Sequence, residues 1–172
     1  MKTYNELKLD QELIRFPTVK TEDKGIIKFL SKKLSSIGFK CIVIKSKGTG
    51  IKPALNLYAK FGNSKPHINF LGHTDVVANL SNWKIPPFKG VIRKGYLNGR
   101  GSQDMKGGIA CFISAISNFI KNKKFKGSIS IIISADEETT GFGCPAVMNL
   151  SLIHISEPTR QAEISYAVFC LK

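Results

Sequence analysis

The chain reads as an α/β protein, a single sheet flanked by helices, and three observations predict it. Apolar residues recur at helical spacing in two N-terminal segments. Short runs of strand character follow, separated by clusters of Gly, Pro, Asn and Ser. The stretch "GSISIIISADEE" (127–138) has a near-continuous apolar centre, the mark of a strand buried on both faces. The predicted order is ααβββ, hairpin, α, β.

Leu7, Leu9, Leu13, Ile14 and Phe16 outline an amphipathic first helix, which Pro17 stops because it lacks an amide and constrains Phe16. Ile26, Ile27, Phe29, Leu30, Leu34 and Ile37 form the stripe of a second helix, with Thr21 as its expected cap and Gly38 at its C-terminal end. Strands are expected over 39–46, 54–61 and 67–73, the first two half-exposed and the third buried. Residues 78–88 cross the surface as a loop, and 90–101 form a hairpin turning at Lys94-Gly95. Asp104 then opens a largely apolar helix that leads to the strand at 127–138.

With 172 residues, 42% of them hydrophobic, the chain suits one compact domain. The formal charge of +14 could attract nucleic acid or an acidic membrane surface. The lysines are scattered, however, and the one cluster, "KNKKFK" (121–126), lacks the interleaved aromatics of a stacking platform. A solvated lysine-rich surface is the expectation, with no nucleic-acid and no membrane partner. Cys41, Cys111, Cys144 and Cys170 show no C-x-x-C pairing and read as reduced core thiols. The N-terminus has no apolar signal core and no run is long enough to span a bilayer, so a cytoplasmic protein is expected.

In open α/β sheets, chemistry collects at the carboxyl ends of strands, where His73, Asp75, Asp104, Glu137 and Glu138 would gather. Residues two apart in extended backbone face one side, so Asp75 can accept the spare N–H of His73 and orient it as a metal ligand. Taken alone, an H-x-D is more often a core histidine satisfied by its neighbour. Asp104, set among four glycines in "GRGSQDMKGG", offers two oxygens in a fixed pose, as a bridge between cations or as a helix cap. The crowded acids of "DEE" call for a cation or a proton to relieve them. Adjacent side chains diverge, so one can coordinate while its neighbour stays free.

Taken together, "FLGHTDVV", "NWKIPPF", "YLNGRGSQDMKGG" and "SADEE" resemble, in order and spacing, the zinc-dependent aminoacylase and carboxypeptidase family. That family contains acetylornithine deacetylase, carboxypeptidase G and succinyl-diaminopimelate desuccinylase. The likeness covers about residues 1–148 and is closest to the desuccinylase branch; "ANLSN" after "DVV" departs from the family's usual P-x-G-D. It implies a zinc-exopeptidase-like sheet and two zinc ions, with cobalt as a substitute. His73 would bind one zinc, Asp104 bridge both and Glu138 bind the second, while Asp75 orients His73 and Glu137 is the general base. The substrate would be a small acylated amino acid, N-succinyl-LL-diaminopimelate, cleaved to succinate and the diamino acid for lysine and cell-wall synthesis. Acetylornithine or a peptide is the alternative within the family, and a basic binding module the alternative outside it.

The resemblance also implies parts that 172 residues do not hold: a lid domain used for homodimerisation and a later histidine of the second zinc site. Residues 1–150 would be the N-terminal part of the catalytic domain, inactive or very weak alone. In 151–172, "SEPT" offers Glu157 where the family has a zinc-binding glutamate in "G-E-P-T", but it follows Glu138 too closely and Ser156 replaces the glycine. "RQAEISYAVFCLK" resembles nothing in the family. This tail is expected to be aberrant sequence, departing from the genuine frame near Met148–Leu150, with Glu157 a ligand by coincidence if at all.

Overall fold

The computed structural model describes residues 2–47, 53–78, 81, 83–122, 125–143 and 145–147. Its elements follow the predicted order: α1 (Glu6–Ile14), α2 (Ile26–Ser35), β1 (Lys40–Ser46), β2 (Ala54–Phe61), β3 (His67–His73), β4 (Val91–Arg93), β5 (Tyr96–Asn98), α3 (Lys106–Asn122) and β6 (Ser128–Ser134). Asn5 caps α1 by accepting the Lys8 N–H, and Leu9, Leu13 and Ile14 bury its inner face.

The cap of α2 differs from expectation. Asp23, not Thr21, accepts the N–H groups of Gly25 and Ile27. The chain first makes a left-handed turn through Lys24 (φ 48°) and Gly25 (φ 90°), so the helix begins at Ile26 and Asp23 is the side chain that caps it. Gly38 ends the element as expected, at φ 97° with its N–H on the Ser35 carbonyl.

The main sheet has the order β1-β2-β6-β3, with β3 parallel to β6 and the other pairs antiparallel. β1 is half-exposed as predicted, but its alternation breaks at Ile42 and Val43, which are both exposed. β2 does not, because it lies between β1 and β6 with both faces covered, and Asn56, Leu57, Tyr58 and Ala59 are all buried. β6 is buried along its whole length. β3, expected to be buried, is the last strand of this sheet: Ile68 and Leu71 are half-exposed, and only its end, Gly72 and His73, is buried. The hairpin turns at Lys94-Gly95, both at positive φ (52° and 80°), the signature of a two-residue primed turn.

Leu57, Ala59, Ile129, Ile131 and Ile133 present one face of the sheet to Leu9 and Leu13 of α1, Ile27 and Leu30 of α2, and Ile109 and Ile113 of α3. On the opposite face Tyr58 and Ile132 pack with Val147. Of the cysteines, Cys41 is half-buried and Cys111 exposed, the latter because it lies on the outer side of α3 while Ile109 and Ala110 face inward. Cys144 and Cys170 lie outside the described residues.

Candidate metal centre

β3 and β6 run parallel with His73 opposite Ser134, so the segments following both strands leave the sheet side by side. The chain after β3 is clamped from two directions. Thr74 N–H donates to the Ser134 carbonyl (2.9 Å). On the other side the segment after α1 lies alongside it: Val76 N–H donates to the Thr18 carbonyl (2.9 Å), and the Thr18 hydroxyl donates to the Thr74 carbonyl. Both His73 and Asp75 are buried as a result.

His73 Nδ1 lies 3.2 Å from the Asp75 carbonyl oxygen and 3.6 Å from Asp75 Oδ1. The carboxylate thus faces the imidazole as H-x-D suggests, but the nearer oxygen is the main-chain one, because Asp75 lies beyond the end of the strand. Asp75 Oδ2 accepts the Glu138 N–H at 2.8 Å, tying this turn to the one after β6. Asp75 Oδ1 is buried without a hydrogen-bond partner.

Asp104 reaches the same place through glycine. A Cβ on Gly72 would sit 3.0–3.3 Å from the side chains of Phe70, Met105 and Ile109, so the bare backbone of β3 admits the start of α3. Gly101, at φ 83°, turns the chain so that its carbonyl accepts the Lys106 N–H (2.8 Å). The Asp104 carboxylate then lies with Oδ1 3.1 Å from His73 Nε2, turned to the histidine rather than to the first amides of α3, and 74% exposed.

After β6 the buried Asp136 organises the turn. It accepts the Thr139 and Thr140 hydroxyls and the Thr140 N–H (3.1 Å). Burial would raise its pKa, but bonds from Thr139, Thr140 and Phe142 hold it below the ordinary carboxylate value. The two glutamates that follow diverge. Glu137 Oε2 lies 3.8 Å from His73 Nε2 with its side chain 60% exposed, while Glu138 offers an oxygen that, with ligand atoms of His73 and Asp104, forms a group all within 4.8 Å of one another. Glu157 lies outside the described residues.

The electrostatics match a cation site. Burial alone would depress the His73 pKa, but Asp75, Glu137 and Asp104 outweigh it and hold the imidazole at about 9. Glu138 is shifted up, by burial first and then by Asp104, Glu137 and Asp75, with His73 opposing. Imidazole and carboxylate oxygens, crowded and mutually repelling, form a donor set suited to zinc or a similar divalent ion, and the unpartnered Asp75 Oδ1 behind the ring is placed to orient a metal-ligating histidine. The residues fit the group.

Two residues beyond Asp104 the motif "DMKGG" carries a lysine whose burial its charge does not announce. Lys106 is fully buried and its Nζ donates to the Phe16 carbonyl at 2.7 Å. Burial pushes its pKa down to about 8 against the pull of Asp10 and Asp75; burial likewise raises Asp10 to about 6, with Lys106 opposing. The readable signal was its spacing: Lys106 stands in register with Ile109, Ala110 and Ile113 on the buried stripe of α3.

The model of peptidase family M20/M25/M40 matches residues 70–169. The chain is 50% identical over 141 residues to the succinyl-diaminopimelate desuccinylase of Pelagibacter ubique, an alignment covering 80% of this chain and 37% of that protein. It is 42% identical over 170 residues to the succinyl-diaminopimelate desuccinylase of Ehrlichia canis, covering 92% and 44%. The chain therefore spans less than half the length of these curated relatives. Human carnosine dipeptidase 1 superposes with a TM-score of 0.76 over 87% of this chain and 36% of that one, at 18% identity, a likeness of fold. The family match takes in the end of β3 and all of α3 and β6, the elements that bring the cluster together, and the chain belongs to peptidase family M20/M25/M40.

Proposed function

We propose that the chain is the N-terminal part of the catalytic domain of a two-zinc amide hydrolase that cleaves N-succinyl-LL-diaminopimelate to succinate and LL-diaminopimelate. The observation that carries this reading is the meeting of His73, Asp104 and Glu138 donor atoms within 4.8 Å beyond two parallel strands. The choice of substrate rests on the names of the relatives at 50% and 42% identity.

In this reading His73 would hold one zinc, Glu138 the second and Asp104 would serve both, with cobalt as a substitute. The bound cations would supply Lewis acidity, lowering the pKa of water and polarising the amide carbonyl. Asp75 holds the ring so that Nε2 faces the ligand side. Glu137, exposed and close to His73, takes the proton of the attacking water and returns it to the leaving amine. A lid domain for dimerisation and a later histidine lie in the rest of a full-length protein of the cytoplasm, acting in lysine and cell-wall synthesis. Residues 151–172 are, in this reading, aberrant sequence that departs from the genuine frame near Met148–Leu150. The family match runs to residue 169, so resequencing past Met148 decides whether Glu157 belongs to the site.

Among the described residues no helix is long and apolar enough to cross a membrane. A full-length protein assayed against succinyl-diaminopimelate, acetylornithine and acyl amino acids, with metal counted by mass spectrometry, is expected to prefer the first and to carry about two zinc ions per chain. Preference for acetylornithine would reassign the substrate. Fewer than one zinc would remove the metal centre, and metal-free binding of nucleic acid that weakens with salt would favour a basic binding module.

Metal uptake should also depend on pH. With its pKa at about 9, the metal-free His73 carries a proton at neutral pH and must lose it to ligate. Zinc affinity therefore rises by about tenfold per pH unit until His73 titrates, then levels off. Calorimetry at pH 7 in buffers of different ionisation enthalpy should find about one proton released per zinc bound, whereas zero release would contradict a His73 ligand.

A further inference from the structure

We propose that Lys106 is a positioning residue for the metal centre: its buried ammonium, fixed on the Phe16 carbonyl beside the Thr18 clamp on the backbone around Asp75, holds Asp75 against His73 so that Nε2 is presented to the cation. The inference rests on the metal-centre reading above and names a group that reading does not use.

Three observations support it. First, Lys106 ties the arm that carries Asp104 to the segment that clamps the arm of His73 and Asp75. It stands two positions beyond Asp104, and its Nζ binds Phe16, just before the Thr18 that clamps the backbone on both sides of Asp75. Lys20 N–H on the Val76 carbonyl (3.2 Å) and the Val19–Val76 bridge extend the same clamp. Second, Asp10 Oδ1 and Asp75 Oδ1 are both buried without a hydrogen-bond partner, and the fully buried Lys106 runs beside the Asp75 turn: a Cβ on Gly101 would lie 3.2 Å from Lys106 Cδ and 3.0 Å from the side chain of Val76. Neither carboxylate makes a direct ion pair with Lys106, so the attraction acts through the low-dielectric interior, where a lone carboxylate would be costly. Third, a close approach locks the geometry: a Cβ on Gly107 would overlap the Ser102 carbonyl and come within 3.1 Å of Asp10 Oδ2. With its charge compensated from below, Asp75 keeps Oδ1 turned to the imidazole at 3.6 Å.

The test uses the complete 172-residue chain as wild type, Lys106→Met and the double variant Lys106→Met/Asp10→Asn, which removes one buried charge of each sign. Three quantities are read: melting temperature, zinc affinity by chelator competition at fixed pH, and the slowly exchanging Nδ1–H of His73 in metal-free protein by proton–nitrogen NMR, assigned with His73→Gln. Lys106→Met should weaken zinc binding by about 10-fold or more, the loss expected when a group supporting a metal ligand is removed. The double variant should recover the melting temperature while zinc affinity and the Nδ1–H signal stay lost. A double variant that binds zinc like wild type and keeps the signal would reduce Lys106 to a packing residue and overturn the inference. So would a wild type that lacks the protected Nδ1–H, a result independent of whether any variant folds. A wild type that shows this signal yet takes up no zinc would instead strike the metal-centre reading itself, and the inference with it.

Discussion

Glu137→Gln in the full-length protein is expected to keep its metal and lose turnover by about 100-fold or more, the usual effect of removing a general base. The geometry separates Glu137 from its neighbour. Glu138 shares a donor group with His73 and Asp104 and has its backbone N–H on Asp75, whereas Glu137 stands 60% exposed, with its nearer oxygen 3.8 Å from His73 Nε2. A glutamine there fills the same volume but takes no proton from water. Because the buried Asp136 and its threonine bonds set the turn, the substitution should leave the placement of Glu138 unchanged. Metal analysis and kcat measured on one preparation decide the matter. Loss of metal with loss of activity would exchange the roles of Glu137 and Glu138.

Asp104→Ala is expected to cost the chain its zinc at almost no cost in stability. The side chain is 74% exposed, and exposed substitutions away from special features fall within about 0.5 kcal/mol. Its contact is with His73 Nε2, so the loss falls on the site. One of three donors disappears, and the imidazole loses one of the carboxylates that raise its pKa. A helix-capping role predicts the reverse outcome, namely about 1 kcal/mol of lost stability with zinc binding intact. Zinc titration beside chemical denaturation distinguishes the two. Retained zinc with a lowered denaturation midpoint would remove Asp104 from the metal centre.

Much of this was legible in the chain because it is local. Apolar residues at helical spacing set α1, α2 and α3, the apolar run of β6 announced a strand buried on both faces, and Lys94-Gly95 specified a turn that only positive φ satisfies. The motifs around His73, Asp104 and Glu138 were equally readable, since each stands at the end of a periodic element. Position relative to other elements was not. The same alternation that made β2 read as half-exposed is overridden by its place between β1 and β6, and Ile68 and Leu71 of β3 are exposed where β3 ends the sheet, while Phe70 packs on the core. Asp23 replaced Thr21 as the cap because a left-handed turn delayed the helix.

From the sequence alone came the order of elements, the family likeness and the residues able to bind a cation, because side-chain type and spacing along one segment are enough for each. Only the tertiary structure could bring Asp104 to 3.1 Å from His73, turn the Asp75 main-chain oxygen as well as its carboxylate to the ring, and bury Lys106 beneath them. The reason is that periodicity says which side chains share a face, while the distance between faces depends on what packs there. At Gly72 the absence of a side chain lets α3 close on β3, and at Phe16 a single carbonyl accepts the buried ammonium.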